Sequence, residues 1–187
     1  PSALIVNDGG KFSARITGLK AETEYVFRAY SDDIYAEEVS FTTQKAVQLS
    51  NGSLDNWWLN GKIWNPWAEG GTPFWDTGNK GAATLGESNT TPTDETWNGK
   101  AGKAGKLSSR FVGIAGIGKF AAGNLFVGDF IRVDGTNGVL NFGKPYDTYP
   151  TKMTCWYKYT TATIDYASSD YQHLKGQPDT CSIYVAL

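Results

Sequence analysis

The first forty residues alternate between apolar and polar positions. Residues 12–43 read FSARITGLKAETEYVFRAYSDDIYAEEVSFTT. Phe12, Ala14 and Ile16 share one face, Gly18 marks a turn, and Tyr25, Phe27 and Ala29 resume the alternation. A period of two predicts half-buried β-strands. A third strand is predicted over Glu38 to Thr43, after the polar loop around Ser31 to Asp33. QKAVQL then leads into a stretch of different composition, so the chain divides into residues 1–44 and 45–187.

The second part opens on Leu54 to Asp76, LDNWWLNGKIWNPWAEGGTPFWD, which holds Trp57, Trp58, Trp64, Trp67 and Trp75. Residues 77–105 form a long polar segment rich in Gly, Asn and Thr, and little regular structure is predicted there. Strands return in LSSRFVGIAGIG (107–118) and NLFVGDFIRVD (124–134), joined through KFAAG. Asp134 to Gly138 is a hairpin signal leading into VLNFG. TKMTCWYKYTTATIDYA sets Met153, Cys155 and Tyr157 against Trp156, Lys158 and Thr160 as a strand would. SSDYQHLKGQPDT is a second polar loop, and CSIYVAL starts a further strand. Short strands separated by glycine turns predict an all-β fold, an antiparallel β-sandwich of the jelly-roll kind.

Composition narrows the partners. The 187 residues carry a formal net charge of −2, with no basic cluster to attract nucleic acid. No apolar run reaches membrane-spanning length. The chain starts at Pro1 and stops inside a strand pattern, so it reads as a piece of something longer. Cys155 and Cys181 either bridge adjacent strands or pack as two free thiols, and the second reading is preferred for a lone pair.

The tryptophans carry the candidate chemistry. An indole offers a flat apolar face and one N–H donor, and flat faces beside short amides and carboxylates can hold a sugar ring. The same rings can equally be core. Trp57 and Trp58 adjoin Leu54 and Leu59, and at least one of them is assigned to packing. Trp64, Trp67 and Trp75 sit among turn residues and, with Asn65, Asp76 and the loop residue Trp97, are the ligand-binding candidates.

Cutting a glycosidic bond needs two carboxyls flanking it, roughly 5–9.5 Å apart. No glutamate follows Glu95. Glu69, Asp76 and Asp129 are the weak catalytic candidates, and no pair among them is evident, so hydrolysis is the lesser reading. His173 reads as a surface loop residue rather than a base or metal ligand. No metal site or cofactor is expected. The run from Asp134 to Asn137 could lend oxygens to a structural calcium, although a plain turn explains it.

Two resemblances add to this. Leu19, Thr23 and Tyr25, with the closing SFTT, resemble the tyrosine corner and last strand of fibronectin type III domains. Only the second half of such a domain is covered, which implies a spacer whose incomplete sheet can pair with a neighbour. From about Leu49 to the end, WWLNGKIWNPWAEG…FWDTGN, FVGIAGIGKFAAGNLFVGDF, LNFGKPY…PTKMTCWYKY and CSIYVAL resemble the putative carbohydrate metabolism domain. That family occurs in exported proteins of gut Gram-negative bacteria. The resemblance implies a jelly roll similar to carbohydrate-binding modules. It also implies binding of a polysaccharide or oligosaccharide during glycan utilisation, at the cell surface as a lipoprotein or in the periplasm. A sandwich-type glycoside hydrolase is the alternative, and a structural or adhesive surface protein the third reading. No catalytic motif carries over, so no residue is assigned by the resemblance.

Overall fold

A computed structural model describes residues 2–114, 117–146, 148, 150 and 152–186. The described elements are overwhelmingly strands, so the fold class is all-β. The chain divides into two compact units, residues 1–49 and 50–187.

In the first unit β1 (Ser2–Asp8) pairs antiparallel with β2 (Lys11–Thr17), in register from Ser2↔Thr17 to Asp8↔Lys11. Gly9 and Gly10 both hold positive φ, the backbone that a tight two-residue hairpin demands. β3 (Glu24–Phe27) is followed by a small hairpin, β4 (Tyr30–Ser31) and β5 (Ile34–Tyr35). β6 (Val39–Thr42) then returns to pair with β3. The Lys20 N–H donates to the Tyr25 hydroxyl at 2.9 Å, so the tyrosine bonds back to the chain just upstream. Tyr25 also stacks on its cross-strand partner Phe41. Phe12, Ile16, Val26 and Phe27 nevertheless stay exposed, because two-stranded ladders offer no second layer to cover them.

The second unit begins with the hairpin of β7 (Trp58–Asn60) and β8 (Ile63–Asn65). β9 (Trp75–Asp76) precedes the short helix α1 (Asn79–Leu85). β10 (Thr90–Thr93) pairs with β11 (Ala104–Leu107), and β12 (Arg110–Ile114) with β13 (Ile117–Ala121). The long β14 (Phe126–Asp134) sits between β15 (Asn137–Phe142) and β9, all antiparallel. Short 3-10 turns cover Trp97–Gly99 and Ser169–Leu174.

Side-chain amides and hydroxyls hold these pieces together. Asn79 is fully buried. Its Nδ2 donates to the carbonyls of Trp64 and Thr90, each at 2.7 Å, while its Oδ1 accepts the Thr90 N–H at 2.9 Å. One side chain thereby ties α1 to β8 and β10. Thr90 Oγ1 donates to the Asn124 carbonyl, and Asn124 Oδ1 accepts the Gly78 N–H at the start of α1. Ser88 Oγ accepts the Trp64 N–H and donates to the Lys62 carbonyl. Arg110 and Asn89 join the same network from β12 and the approach to β10. Phe130 is the large apolar side chain buried here, pressed between Gly81 and Gly138, where any added Cβ would lie 3.3 and 3.0 Å from its ring. Gly128, at φ +142°, passes so close to β15 that a Cβ would sit 2.1 Å from the Asn141 carbonyl oxygen.

Three expectations are corrected. The segment 77–105 contains α1, β10, a 3-10 turn and the start of β11, because buried Asn79, Thr77 and Thr90 give its polar residues partners. LSSRFVGIAGIG is divided between two strands: β12 ends at Ile114 and pairs antiparallel with β13, which takes in Lys119, Phe120 and Ala121 of the expected connection. The alternating residues of 152–162 and 179–186 form no strand among the described residues, and Trp156, Tyr157, Ile183 and Tyr184 are exposed. Alternation prepares a chain for a ladder, but a ladder also needs a partner strand, and here only the bridge Thr163↔Pro178 forms. The described ladders number two or three strands each and do not trace the strand order of a jelly roll.

Replacing Asn79 by Ala would strand the Thr90 N–H and two carbonyls without partners. The expected loss is about 3–5 kcal/mol, read from urea unfolding of the whole chain.

Candidate functional site

The carboxylates come first, because they decide between holding a sugar and cutting one. Asp76 is buried. Its Oδ1 accepts the Thr77 N–H at 2.8 Å, and its Oδ2 accepts the Phe130 N–H at 2.8 Å and Lys80 Nζ at 3.0 Å. It therefore joins β9, α1 and the irregular point of β14, where the register shifts between Phe130 and Arg132. Asp129 lies in β14 one residue before buried Phe130, so its side chain leaves from the opposite face of the strand. Both of its oxygens accept from Lys144 Nζ, at 2.7 and 2.6 Å. Glu69 is exposed on the turn closed by the Gly71 N–H to the Ala68 carbonyl. The two aspartates are thus committed to lysine and backbone partners within the fold.

Asn65, a ligand candidate from sequence, ends β8. It is buried, and its Nδ2 donates to the Ile63 carbonyl at 3.0 Å within its own hairpin. The tryptophans of the 54–76 stretch are all half-buried. Trp57 spends its N–H on the Leu54 carbonyl at 2.6 Å and rests its ring on Gly105. Trp75, a ligand candidate from sequence, spends its N–H on the Ser50 carbonyl at 2.8 Å and meets the edge of Phe74. Trp64 is held through its backbone, by Ser88 on one side and Asn79 on the other. Trp67 follows buried Pro66 and is half-buried too. Trp58 Nε1 is buried with no protein partner among the described residues.

The open aromatic surface lies elsewhere. Trp97, in the loop between β10 and β11, stacks on Trp156 with ring centroids 3.9 Å apart and planes 11° from parallel. Trp97 keeps 41% of its surface exposed and Trp156 keeps 65%. Lys100 Nζ lies 4.9 Å from the Trp97 centroid, and a 3.9 Å stack has no room for an ammonium inside it. Lys100 thus borders the pair from outside, and the face of Trp156 away from Trp97 is open. Glu95 pairs with Lys158 two residues after Trp156, which anchors the C-terminal segment to the loop. That lysine's hydrogen bond, then its charge and that of Lys106, hold the Glu95 carboxyl below its ordinary value. Lys103 pairs with Asp94 at 2.5 Å on the same loop. Tyr157, 72% exposed, adjoins the platform in sequence. Trp97 was a candidate from sequence; Trp156 was not, since its alternating neighbours made it look like a strand residue.

The C-terminal segment has an anchor of its own. Asp179 Oδ1 accepts the Ala162 N–H at 2.6 Å and the Thr161 hydroxyl at 3.0 Å. With the backbone bonds Ile164 N–H to Gln177 and Asp179 N–H to Ala162, this closes an antiparallel hairpin around the 3-10 turn. His173 is exposed within that turn. Cys155 and Cys181 lie in the parts of 152–162 and 179–186 that form no strand among the described residues. Both are free and exposed. Asp134 and Asn137 face each other across the turn of the β14–β15 hairpin, and Asn137 Oδ1 accepts from Lys119.

The second unit is thus an all-β domain knitted by buried amides and carrying an exposed indole pair. It belongs to the family described as Putative carbohydrate metabolism domain, whose profile matches residues 53–187. Neither the curated proteins nor the solved structures yield a match.

The anchoring aspartate predicts a pH response. The Ala162 N–H first, then the Tyr159 hydroxyl, hold the Asp179 carboxyl below the ordinary 3.8. A depressed value stabilises the hairpin above the unfolded value, and that contribution is lost as pH falls through the folded one. Protection of the Ala162 amide from hydrogen exchange is expected to persist at neutral pH and to fall away below about pH 4. Asp179→Asn should flatten this pH dependence, and Asp179→Ala should remove the protection at neutral pH.

Proposed function

We propose that this chain binds polysaccharide or oligosaccharide on the Trp97–Trp156 platform. The exposed, coplanar indole pair is the observation that carries the reading. Water-exposed tryptophan surface is costly to keep unless something covers it, and the flat C–H faces of a pyranose ring suit an indole face. Polar groups near an aromatic face supply orientation, and here Lys100 lies over the Trp97 ring while the Glu95–Lys158 pair joins the two segments that carry the indoles. Membership of a carbohydrate-metabolism family supports a glycan as the ligand class. The separate engagements of Asp76 and Asp129 favour holding a glycan over hydrolysing it.

In this reading the protein is exported and serves glycan utilisation at the cell surface or in the periplasm. The first unit acts as a fibronectin type III-like spacer, and its Lys20–Tyr25 bond supports that role.

Affinity electrophoresis through gels containing plant and host polysaccharides tests the platform. Trp156→Ala is expected to weaken retardation by about tenfold or more while leaving the thermal unfolding midpoint within a few degrees of the parent. Trp156→Phe, which keeps a flat ring, should retain most of the retardation. If no polysaccharide retards the parent chain, or if Trp156→Ala binds as well as the parent, the platform reading is lost.

A further inference from the structure

A cavity of about 330 Å³ lies in the second unit between α1, the β12–β13 hairpin and the β14–β15 hairpin. That volume falls at the lower end of the roughly 300–1,000 Å³ found for small-molecule sites. Its wall is mostly carbon: Ala82 and Leu85 from α1, Val112 from β12, and Phe130, Val133 and Leu140 from β14 and β15. Two of the polar groups on the wall are spent inside the fold. Asn124 Oδ1 accepts the Gly78 N–H, and the Thr84 hydroxyl donates to the Lys80 carbonyl. Lys119 is the one charged side chain among the described residues that line the cavity. Its Nζ donates to Asn137 Oδ1, also on the wall, so the ammonium reaches from β13 to the tip of the β14–β15 hairpin. No carboxylate is on the wall, and among the described residues none lies within ion-pair distance of Lys119.

We propose that this cavity binds a small monocarboxylate with an apolar body, at a site separate from the indole pair. The body lies against Phe130, Val133 and Leu140, and the carboxylate meets the Lys119 ammonium and the Asn137 amide. An ammonium has three N–H donors, and Asn137 Oδ1 takes one of them. Asn137 Nδ2 is a further donor at the same point of the wall. A carbon wall rewards an apolar body by removing it from water. A lone cation with no facing carboxylate selects one negative charge, and a neutral ligand of the same shape leaves it unmatched. A free sugar suits this wall poorly, because its hydroxyls would lose water without gaining partners.

Titration of the whole isotope-labelled chain with hydrocinnamate and with octanoate, followed by NMR, tests the site. Saturable shifts are expected at the backbone amides of Ala82, Lys119 and Gly138, one from each wall. The neutral probe hydrocinnamamide should bind about three- to tenfold more weakly than hydrocinnamate. Lys119→Gln is expected to abolish that difference, weakening both acids and leaving the amide unchanged. Val133→Trp, which adds bulk at an exposed part of the wall, should weaken acid and amide alike. Trp156→Ala should leave every one of these affinities as in the parent, so this site and the glycan platform stand or fall separately. Equal affinity for hydrocinnamate and its amide, unchanged by Lys119→Gln, overturns the inference. So does the absence of saturable shifts with either acid. Shifts centred on Trp97 and Trp156, and lost in Trp156→Ala, overturn it as well.

Discussion

The second unit depends on buried short polar side chains that replace backbone partners. Asn79 takes the place of a missing strand: its amide donates to two carbonyls and its oxygen accepts one N–H, the pattern by which a strand would pair. Asp76 does the same for the irregular stretch of β14 at Phe130. Buried amides and carboxylates cost free energy unless every group is satisfied, and here the partners are largely backbone atoms of the strands β8, β10 and β14. Large apolar side chains play a small part. Phe130 is the exception, and it fits because Gly81 and Gly138 leave it room.

This has a consequence for function. A side chain that completes the backbone's hydrogen bonds is not free to bind anything else. Asp76 and Asn65, both attractive beside a run of tryptophans, are held in this way. The tryptophans between 57 and 75 are drawn half into the same framework, with the N–H groups of Trp57 and Trp75 consumed by neighbouring carbonyls. Among the described residues the exposed tryptophan surface lies instead on the loop after β10 and on the C-terminal segment, where Trp97 and Trp156 meet across a long stretch of sequence.

Legibility in the sequence followed the range of the interaction. Strands β2, β3 and β6 and the β14–β15 hairpin were readable because alternation and a glycine turn are local properties. The Tyr25 bond to Lys20 was also readable, spanning only a few residues. Helix α1 was not, because its seven residues contain two that favour loops and it is anchored by Asn79 and Asn124 reaching distant backbone. The alternation of residues 153–160 misled in the other direction: its pattern asked for a ladder, and among the described residues no strand pairs with it.

The all-β class, the change of character between the two parts, the family and the suspicion of a sugar ligand were all determined by the sequence alone. Each is a matter of composition or of motifs read over a few neighbouring residues. Which tryptophans face outward, and which carboxylates are spent internally, was decided only by the tertiary structure. Trp97 and Trp156 become a platform because a loop and the C-terminal segment come together, fastened by Glu95 and Lys158. Nothing in the local pattern around Trp156 carries that pairing, since stacking depends on where a distant ring arrives rather than on which residues flank it.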